Sequence, residues 1–161
     1  MDRIEHYRDL ARAIENWIEG IMESASAEGL VVGISGGIDS AVSAALGARA
    51  AGSSNVLGLL MPCGNPEENT RDGLEIVRHL GIEHSVIDLE PVLNSFLECG
   101  GLMDADRLNR ANIKARLRMA MLYAHSNGRL VLGTSNCSEI RVGYWTKWGD
   151  GAADLLPLGR L

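Results

Sequence analysis

A short apolar run that ends in a serine- and glycine-rich turn constrains this chain more than any other feature. The run Leu30–Ile34 is followed by Ser35-Gly36-Gly37-Ile38-Asp39-Ser40 and then by an alanine-rich stretch at 41–51. This order predicts a strand, a glycine loop and a helix. Adjacent glycines let the backbone approach a bulky anion because no Cβ intervenes, and the N–H groups and dipole at a helix start favour phosphate. The alternative is a strand–helix turn that uses glycine for its geometry alone.

The acidic residue inside the loop indicates what kind of phosphate site this is. A Walker-type loop carries a lysine, whereas residues 35–40 contain no lysine and include Asp39. A carboxylate beside a phosphate is repulsive unless a cation lies between them, so Asp39 is predicted to bind Mg²⁺. The Ser-Gly-Gly-x-Asp-Ser pattern after an apolar strand favours phosphate binding over a simple turn. The loop resembles the pyrophosphate loop of ATP pyrophosphatases that adenylate their substrates.

Composition narrows the class of protein. With 161 residues and a formal net charge of −6, the chain is expected to form a single domain over 1–161 that does not bind nucleic acid. No apolar run approaches the ~20 residues of a membrane span and no signal peptide opens the sequence, so we expect a cytoplasmic protein without membrane contact. Its three cysteines (Cys63, Cys99 and Cys137) form no CxxC pair, which fits reduced thiols and predicts no zinc site.

Apolar strands and amphipathic helices alternate along the rest of the chain. Further strands are expected at 56–61, 85–89 and 130–132, and helices at 4–22, 65–80, 91–98 and 106–126. The 65–80 helix is expected to begin at the capping sequence Asn65-Pro66-Glu67-Glu68. The 4–22 helix is expected to pack on the domain, with a dimer contact as the alternative. The alternation predicts an α/β fold: a doubly wound, Rossmann-like parallel sheet in strand order 3-2-1-4, with helices on both faces.

This strand order predicts where a ligand binds. Ligands of such sheets lie at the carboxyl ends of the strands where the order reverses, here between the first and fourth strands. The small polar residues of the 133–139 loop can therefore face a sugar or phosphate beside the 35–40 loop. Glu139 is expected to lie across the crevice from Asp39, since two carboxylates and triphosphate oxygens suit an octahedral Mg²⁺. The alternative is that Glu139 is a solvated loop acid.

A second chemical segment, at 143–154, contains three aromatic residues in a chain with only 4% aromatic residues. Aromatic faces beside Lys147, Asp150 and Asp154 can hold a planar ring with a charged or hydroxylated group. The alternative is a turn that covers the core, with Trp145 or Trp148 inside it.

Four stretches together resemble the ammonia-dependent NAD synthetases: residues 35–40, 112–119, 133–139 and 143–151. The resemblance covers nearly the whole chain, and its last stretch is the most specific. It implies amidation of deamido-NAD with ammonia, driven by ATP, with Mg²⁺ as the metal and a homodimer as the assembly. It also implies an acyl-adenylate intermediate formed by positioning and charge stabilisation, with no catalytic nucleophile.

The resemblance also implies roles for individual residues. ATP contacts are implied for Gly33, Ile34, Ser35, Gly36, Gly37, Ile38, Asp39, Ser40 and Thr134. Deamido-NAD contacts are implied for Asn112, Arg116, Lys147 and Asp154, and Mg²⁺ ligation for Asp39 and Glu139. For Arg116 the alternative is a solvated helix face among many basic neighbours.

The carboxyl end departs from the family pattern. Family members continue past the Asp154–Leu158 stretch with a further phosphate-binding lysine and a mobile covering segment, whereas this sequence ends at Leu161. We therefore expect the chain to fold and bind ATP weakly but to make NAD slowly or not at all. The alternative functions are another adenylating ATP pyrophosphatase and a non-catalytic ATP-binding module.

Overall fold

The computed structural model describes residues 3–64 and 67–161. In chain order the elements are α1 (Arg3–Ala25), β1 (Gly29–Gly33), α2 (Ile38–Ala51), a 3₁₀ turn (Ser53–Asn55), β2 (Val56–Leu60), α3 (Glu67–Leu80), β3 (Glu83–Val86), α4 (Glu90–Cys99), α5 (Arg107–Ala124), β4 (Arg129–Leu132) and α6 (Cys137–Val142). The start predicted for the third helix at Asn65-Pro66 lies outside the described residues. None of the helices in the described ranges is both long and apolar enough to cross a membrane.

The four strands form one parallel sheet in the order β3-β2-β1-β4, which confirms the predicted topology. Val31 of β1 pairs with Leu57 of β2 on one side and with Val131 of β4 on the other. Strand order reverses between β1 and β4, so the crevice at their carboxyl ends is open to a ligand. We call this opening the β1–β4 crevice.

Helices cover both faces of the sheet, as the alternation of strands and helices predicts. On one face, Ile18 of α1 and Val77 of α3 pack with Leu30 and Val32. On the other face, side chains of α4 and α5 pack with Val31. Burying each such side chain contributes about 1.5–3 kcal/mol, so both helical layers are held to the sheet. The first helix packs on the domain, as predicted, and its Glu15 pairs with Arg49 of α2 at 2.6 Å.

The third strand differs from its prediction. It runs over Glu83–Val86 instead of 85–89, and all four of its residues are exposed. Gly81, with φ of +65°, ends α3 and turns the chain directly into the sheet. The apolar residues that suggested the later strand still follow β2, because Ile87 donates to the Leu60 carbonyl and Leu89 to that of Pro62. These residues end the strand and fill the core beneath it.

The 133–139 stretch was predicted as a loop, but it contains the start of α6 at Cys137. Asn136 caps this helix: its side chain accepts from the Glu139 N–H at 3.0 Å, and the Glu139 carboxylate accepts from the Asn136 N–H at 3.1 Å. Such a reciprocal capping box stabilises even a short helix. Glu139 is therefore held in an ordered first turn and is not a free loop acid.

Candidate functional site

The glycine loop after β1 is closed on itself by serine hydroxyls. The Ser40 hydroxyl donates to the Gly37 carbonyl at 2.8 Å and accepts from the Ser35 N–H at 3.3 Å. The Ser35 hydroxyl in turn accepts from the Gly37 N–H at 3.2 Å. Gly36 has φ of +85°, a left-handed conformation that glycine adopts without strain. These bonds fix the shape of the loop before any ligand arrives.

The loop leads directly into the N-terminus of α2. Gly37 is the N-cap residue and supplies no side-chain cap. The first backbone bond into the helix runs from the Ala41 N–H to the Gly37 carbonyl. The N–H groups of residues 38–40 precede that bond, and no hydrogen bond from them occurs within the described ranges. Free N–H groups and the helix dipole together favour the binding of an anion.

Asp39 and Glu139 come together at the β1–β4 crevice through an asparagine. The Asn136 side-chain amide donates to Asp39 Oδ2 at 3.4 Å, while its oxygen caps α6 at the Glu139 N–H. Both carboxylates are half-buried and each is one hydrogen bond from Asn136. Among the residues that the structure describes, no group of three or more acidic, histidine or cysteine side chains could hold a metal. The described residues thus supply two carboxylates, Asp39 and Glu139, as possible cation ligands at this crevice.

The predicted dinucleotide residues of α5 face the 143–151 segment. Asn112 accepts a hydrogen bond from the Thr146 hydroxyl at 2.8 Å, and Arg116 Nε donates to the Lys147 carbonyl at 3.2 Å. Asp150 accepts from the Thr146 N–H at 2.8 Å and closes the turn. Three of the predicted residues, Asn112, Arg116 and Lys147, therefore lie together. Contact with a substrate stays a prediction for each of them.

The aromatic side chains of this segment point to solvent. Tyr144 is 77% exposed, Trp145 44% and Trp148 67%, so neither tryptophan lies inside the core. The Lys147 ammonium lies 5.9 Å from the centre of the Trp148 ring, within cation–π range. Trp148 has φ of +60°, which is rare for a residue other than glycine. A Cβ at Gly151 would overlap the Trp145 indole, so this glycine permits the ring to lie against the backbone.

The Asp154 side chain is hydrogen-bonded to β4 and to α5. Its Oδ2 accepts from the Val131 N–H at 2.7 Å, and its Oδ1 accepts from the Tyr123 hydroxyl at 3.3 Å. Burial raises the pKa of Tyr123, and the negative charge and hydrogen bond of Asp154 raise it further. Leu155 continues this pairing by accepting from the Gly133 N–H at 2.8 Å. Asp154 thus has a structural role, and its contact with a dinucleotide stays a prediction.

A cavity of about 430 Å³ opens at the carboxyl ends of β1, β2 and β4. Four residues predicted to contact ATP line it: Gly33, Ile34, Ser35 and Thr134. Thr146 and Asp150 line the same cavity from the aromatic segment. Its apolar wall is formed by Met61, Met119 and Leu122. The cavity is large enough for a drug-sized or nucleoside-sized ligand.

Sequence reasoning gave no role to two basic residues near this cavity. Arg118 lines it and donates from Nε to the Met61 carbonyl at 3.1 Å, and Lys114 donates to the Cys63 carbonyl at 2.8 Å. Burial lowers the pKa of Arg118. Burial also raises the pKa of the Cys63 thiol, and the positive charges of Lys114 and Arg118 offset part of that rise. The available signal was spacing: Arg118 is two positions from Arg116 and so points about 200° away around the helix.

Sequence comparisons agree with these features. A family model described as NAD synthase matches residues 10–161. An NH(3)-dependent NAD(+) synthetase of Hyperthermus butylicus is 45% identical over 96% of this chain and 57% of its own length. The corresponding protein of Pyrococcus horikoshii is 47% identical over 93% of this chain and 58% of its own length. The chain thus spans less than two thirds of these relatives.

Solved structures show the same fold. NH3-dependent NAD synthetase from Campylobacter jejuni superposes with a TM-score of 0.91 at 34% identity, over 100% of this chain and 69% of that one. NMN synthetase from Francisella tularensis superposes with a TM-score of 0.90 at 39% identity, over 96% of this chain and 65% of that one. The α/β sheet and its reversal point are therefore shared with both enzymes.

Proposed function

Because the chain belongs to the NAD synthase family, we propose that it catalyses, or forms the nucleotide-binding part of an enzyme that catalyses, ATP-dependent amidation of deamido-NAD with ammonia. The products are NAD, AMP and pyrophosphate. The observation that carries this proposal is that the glycine loop and the 143–151 segment line one cavity at the ends of β1 and β4. Asn112 and Arg116 of α5 are hydrogen-bonded to that segment. A nucleoside triphosphate and a second substrate can meet there.

The chain's own residues supply binding and positioning. The N–H groups at the start of α2 take phosphate oxygens of ATP, and the cavity lined by Gly33, Ile34 and Thr134 takes the nucleoside. The Arg116 guanidinium donates to the backbone carbonyl of Lys147, which brings the two basic residues to one surface. Their side chains attract the dinucleotide phosphates. Holding the two substrates in line accounts for much of the rate acceleration, because no protein nucleophile takes part.

The bond changes follow from this arrangement. A carboxylate oxygen of deamido-NAD attacks the α-phosphorus of ATP, and the bond to the bridging oxygen breaks to release pyrophosphate. Ammonia then attacks the adenylated carbonyl carbon and loses a proton, and AMP leaves with the bonding electron pair. The loop N–H groups stabilise the negative charge that accumulates on pyrophosphate during the first step.

The two crevice carboxylates fit a Mg²⁺ site. Asp39 uses Oδ2 and Glu139 uses Oε2 in hydrogen bonds with Asn136, which leaves one oxygen of each for a cation. Mg²⁺ is commonly held by one or two carboxylates together with substrate phosphates and water. When bound, the ion would neutralise charge on the triphosphate. Asp39 and Glu139 would hold it.

Calorimetric titration of ATP with and without Mg²⁺ tests the metal pair. In Asp39→Asn and Glu139→Gln we expect the Mg²⁺-dependent gain in ATP affinity to be lost while the fold, read by circular dichroism, is retained. Glu98→Gln, an exposed α4 residue with the same change of charge, should behave like the parent protein. If both crevice variants keep the full Mg²⁺ dependence, the proposed metal site is wrong.

Pyrophosphate release tests the reaction. We expect release from ATP to depend on deamido-NAD, and NAD to form from ammonium. The 39% identity to an NMN synthetase makes the deamido form of NMN a second substrate to supply. Pyrophosphate release when neither deamido substrate is supplied would indicate another ATP pyrophosphatase. ATP binding without pyrophosphate release would indicate a non-catalytic module.

Light scattering tests the homodimer that the resemblance implies.

A further inference from the structure

Arg118 brings a cation with unused donors into the cavity. Its only hydrogen bond within the described ranges runs from Nε to the Met61 carbonyl, and no carboxylate there forms an ion pair with it. The two terminal nitrogens of the guanidinium are not among the buried unpaired atoms, so they remain accessible. Because Arg118 lines the cavity, their N–H donors are available to an acceptor bound inside it.

The surroundings of Arg118 indicate which part of a ligand it meets. Met119 and Leu122 on the same face of α5 and Met61 at the end of β2 give this side of the cavity an apolar wall. Thr134, which carries a hydroxyl, follows β4 and so lies across β1 from Met61. The glycine loop begins at Ser35, after β1, and therefore lies between Met61 and Thr134. The apolar side suits a flat ring, whereas the loop side suits phosphate.

We propose that Arg118 binds the base of the nucleotide, with its terminal N–H groups donating to acceptor atoms on the edge of the ring. This inference rests on the proposed function, because it takes the cavity to be the ATP site. The Nε bond to Met61 fixes the plane of the guanidinium, and the ring nitrogens of adenine are the acceptors that it meets. A lysine here would lack the planar fork that holds the backbone and a ligand together.

The test separates the base from the phosphates by using adenosine, inorganic tripolyphosphate and Mg-ATP as probes. Titrations are followed by ligand-observed NMR for adenosine and by calorimetry for the other two. In Arg118→Gln we expect adenosine and Mg-ATP to bind about tenfold to a hundredfold more weakly, the loss typical of a charged hydrogen bond. Tripolyphosphate affinity should stay within about twofold, because that probe occupies only the loop side.

Arg107→Gln is the matched control. It removes the same charge from an exposed position on α5 that does not line the cavity, so all three affinities should equal those of the parent protein. Arg118→Lys keeps the charge and should show a smaller loss for adenosine, again with tripolyphosphate unchanged. If Arg118→Gln does not fold, the lysine variant carries the same comparison.

Two results overturn the inference. Unchanged adenosine affinity in a folded Arg118 variant would mean that the guanidinium does not touch the base. Weaker tripolyphosphate binding with adenosine unaffected would assign it to the phosphates. Both results leave the proposed function standing, whereas a parent protein that binds neither Mg-ATP nor adenosine would refute the ATP site itself.

Discussion

Replacing Asp154 with alanine should destabilise the fold, whether or not this residue also contacts a substrate. Its carboxylate accepts from the Val131 N–H at 2.7 Å and from the Tyr123 hydroxyl at 3.3 Å. A hydrogen bond to a charged group contributes about 1.5–3 kcal/mol. Asp154 is exposed, so we take the lower part of that range, about 2 kcal/mol. For a domain of this size that loss lowers Tm by roughly 4–8 °C.

Thermal unfolding followed by circular dichroism measures this change. Asp154→Asn keeps an oxygen acceptor for Val131 and should recover most of the lost stability. Asp104→Ala, which removes another exposed carboxylate with no hydrogen bond within the described ranges, should leave Tm unchanged. Deamido-NAD affinity measured on the stable asparagine variant then reports any direct contact separately from folding.

A melting temperature for Asp154→Ala within about 1 °C of the parent protein would refute this reasoning, because a bond worth 2 kcal/mol must move Tm further. If the same variant also lost deamido-NAD affinity, Asp154 would be a ligand residue whose carboxylate is not needed to hold β4.

Three further predictions concern single side chains. Gly133→Ala should lower Tm, because the new Cβ would lie 2.6 Å from the Ala153 Cβ, and such overpacking costs about 1–3 kcal/mol. Gly20→Ala should raise Tm, because Gly20 lies in a helix and a Cβ there would meet no other atom within 4 Å. Native-state alkylation with mass-spectrometric readout should label exposed Cys99 and spare Cys63, whose burial raises its pKa; equal labelling would contradict this. The raised pKa of Tyr123 means that its contribution to stability is complete below the unfolded-state pKa and is lost as pH rises through the folded-state value. Denaturation of Tyr123→Phe should therefore depend less on pH above about 10.

The sequence was sufficient for the topology because the decisive signals are local. A buried strand, a glycine loop and a helix are each encoded by adjacent residues, and the crossover rule orders the strands. The β3 boundary was wrong because the apolar residues at 87 and 89 fill the core after the strand, whereas the strand itself is exposed. Solvent exposure of an edge strand depends on its neighbours, which periodicity does not report.

The site was predictable where topology alone brings residues together. The rule for strand reversal correctly brought Glu139 to Asp39, since Asn136 bonds to both. It did not identify Asn136 itself, although an asparagine followed three residues later by glutamate is a helix-capping pattern. Arg118 was missed because its bond to Met61 joins residues far apart in sequence, and only the packing of α5 on the sheet creates it.

The aromatic segment is the part of the chain that is hardest to explain by folding alone. Trp148 is held in a left-handed conformation, which costs about 1–2 kcal/mol for a residue other than glycine, and it is 67% exposed. The bonds of Thr146 with Asn112 and Asp150 fix this turn against α5, so the strain is maintained by the surrounding structure. A strained turn that exposes large rings gains little from burial, and such features cluster at ligand sites. Its position beside Arg116 and the cavity supports a role in binding the second substrate.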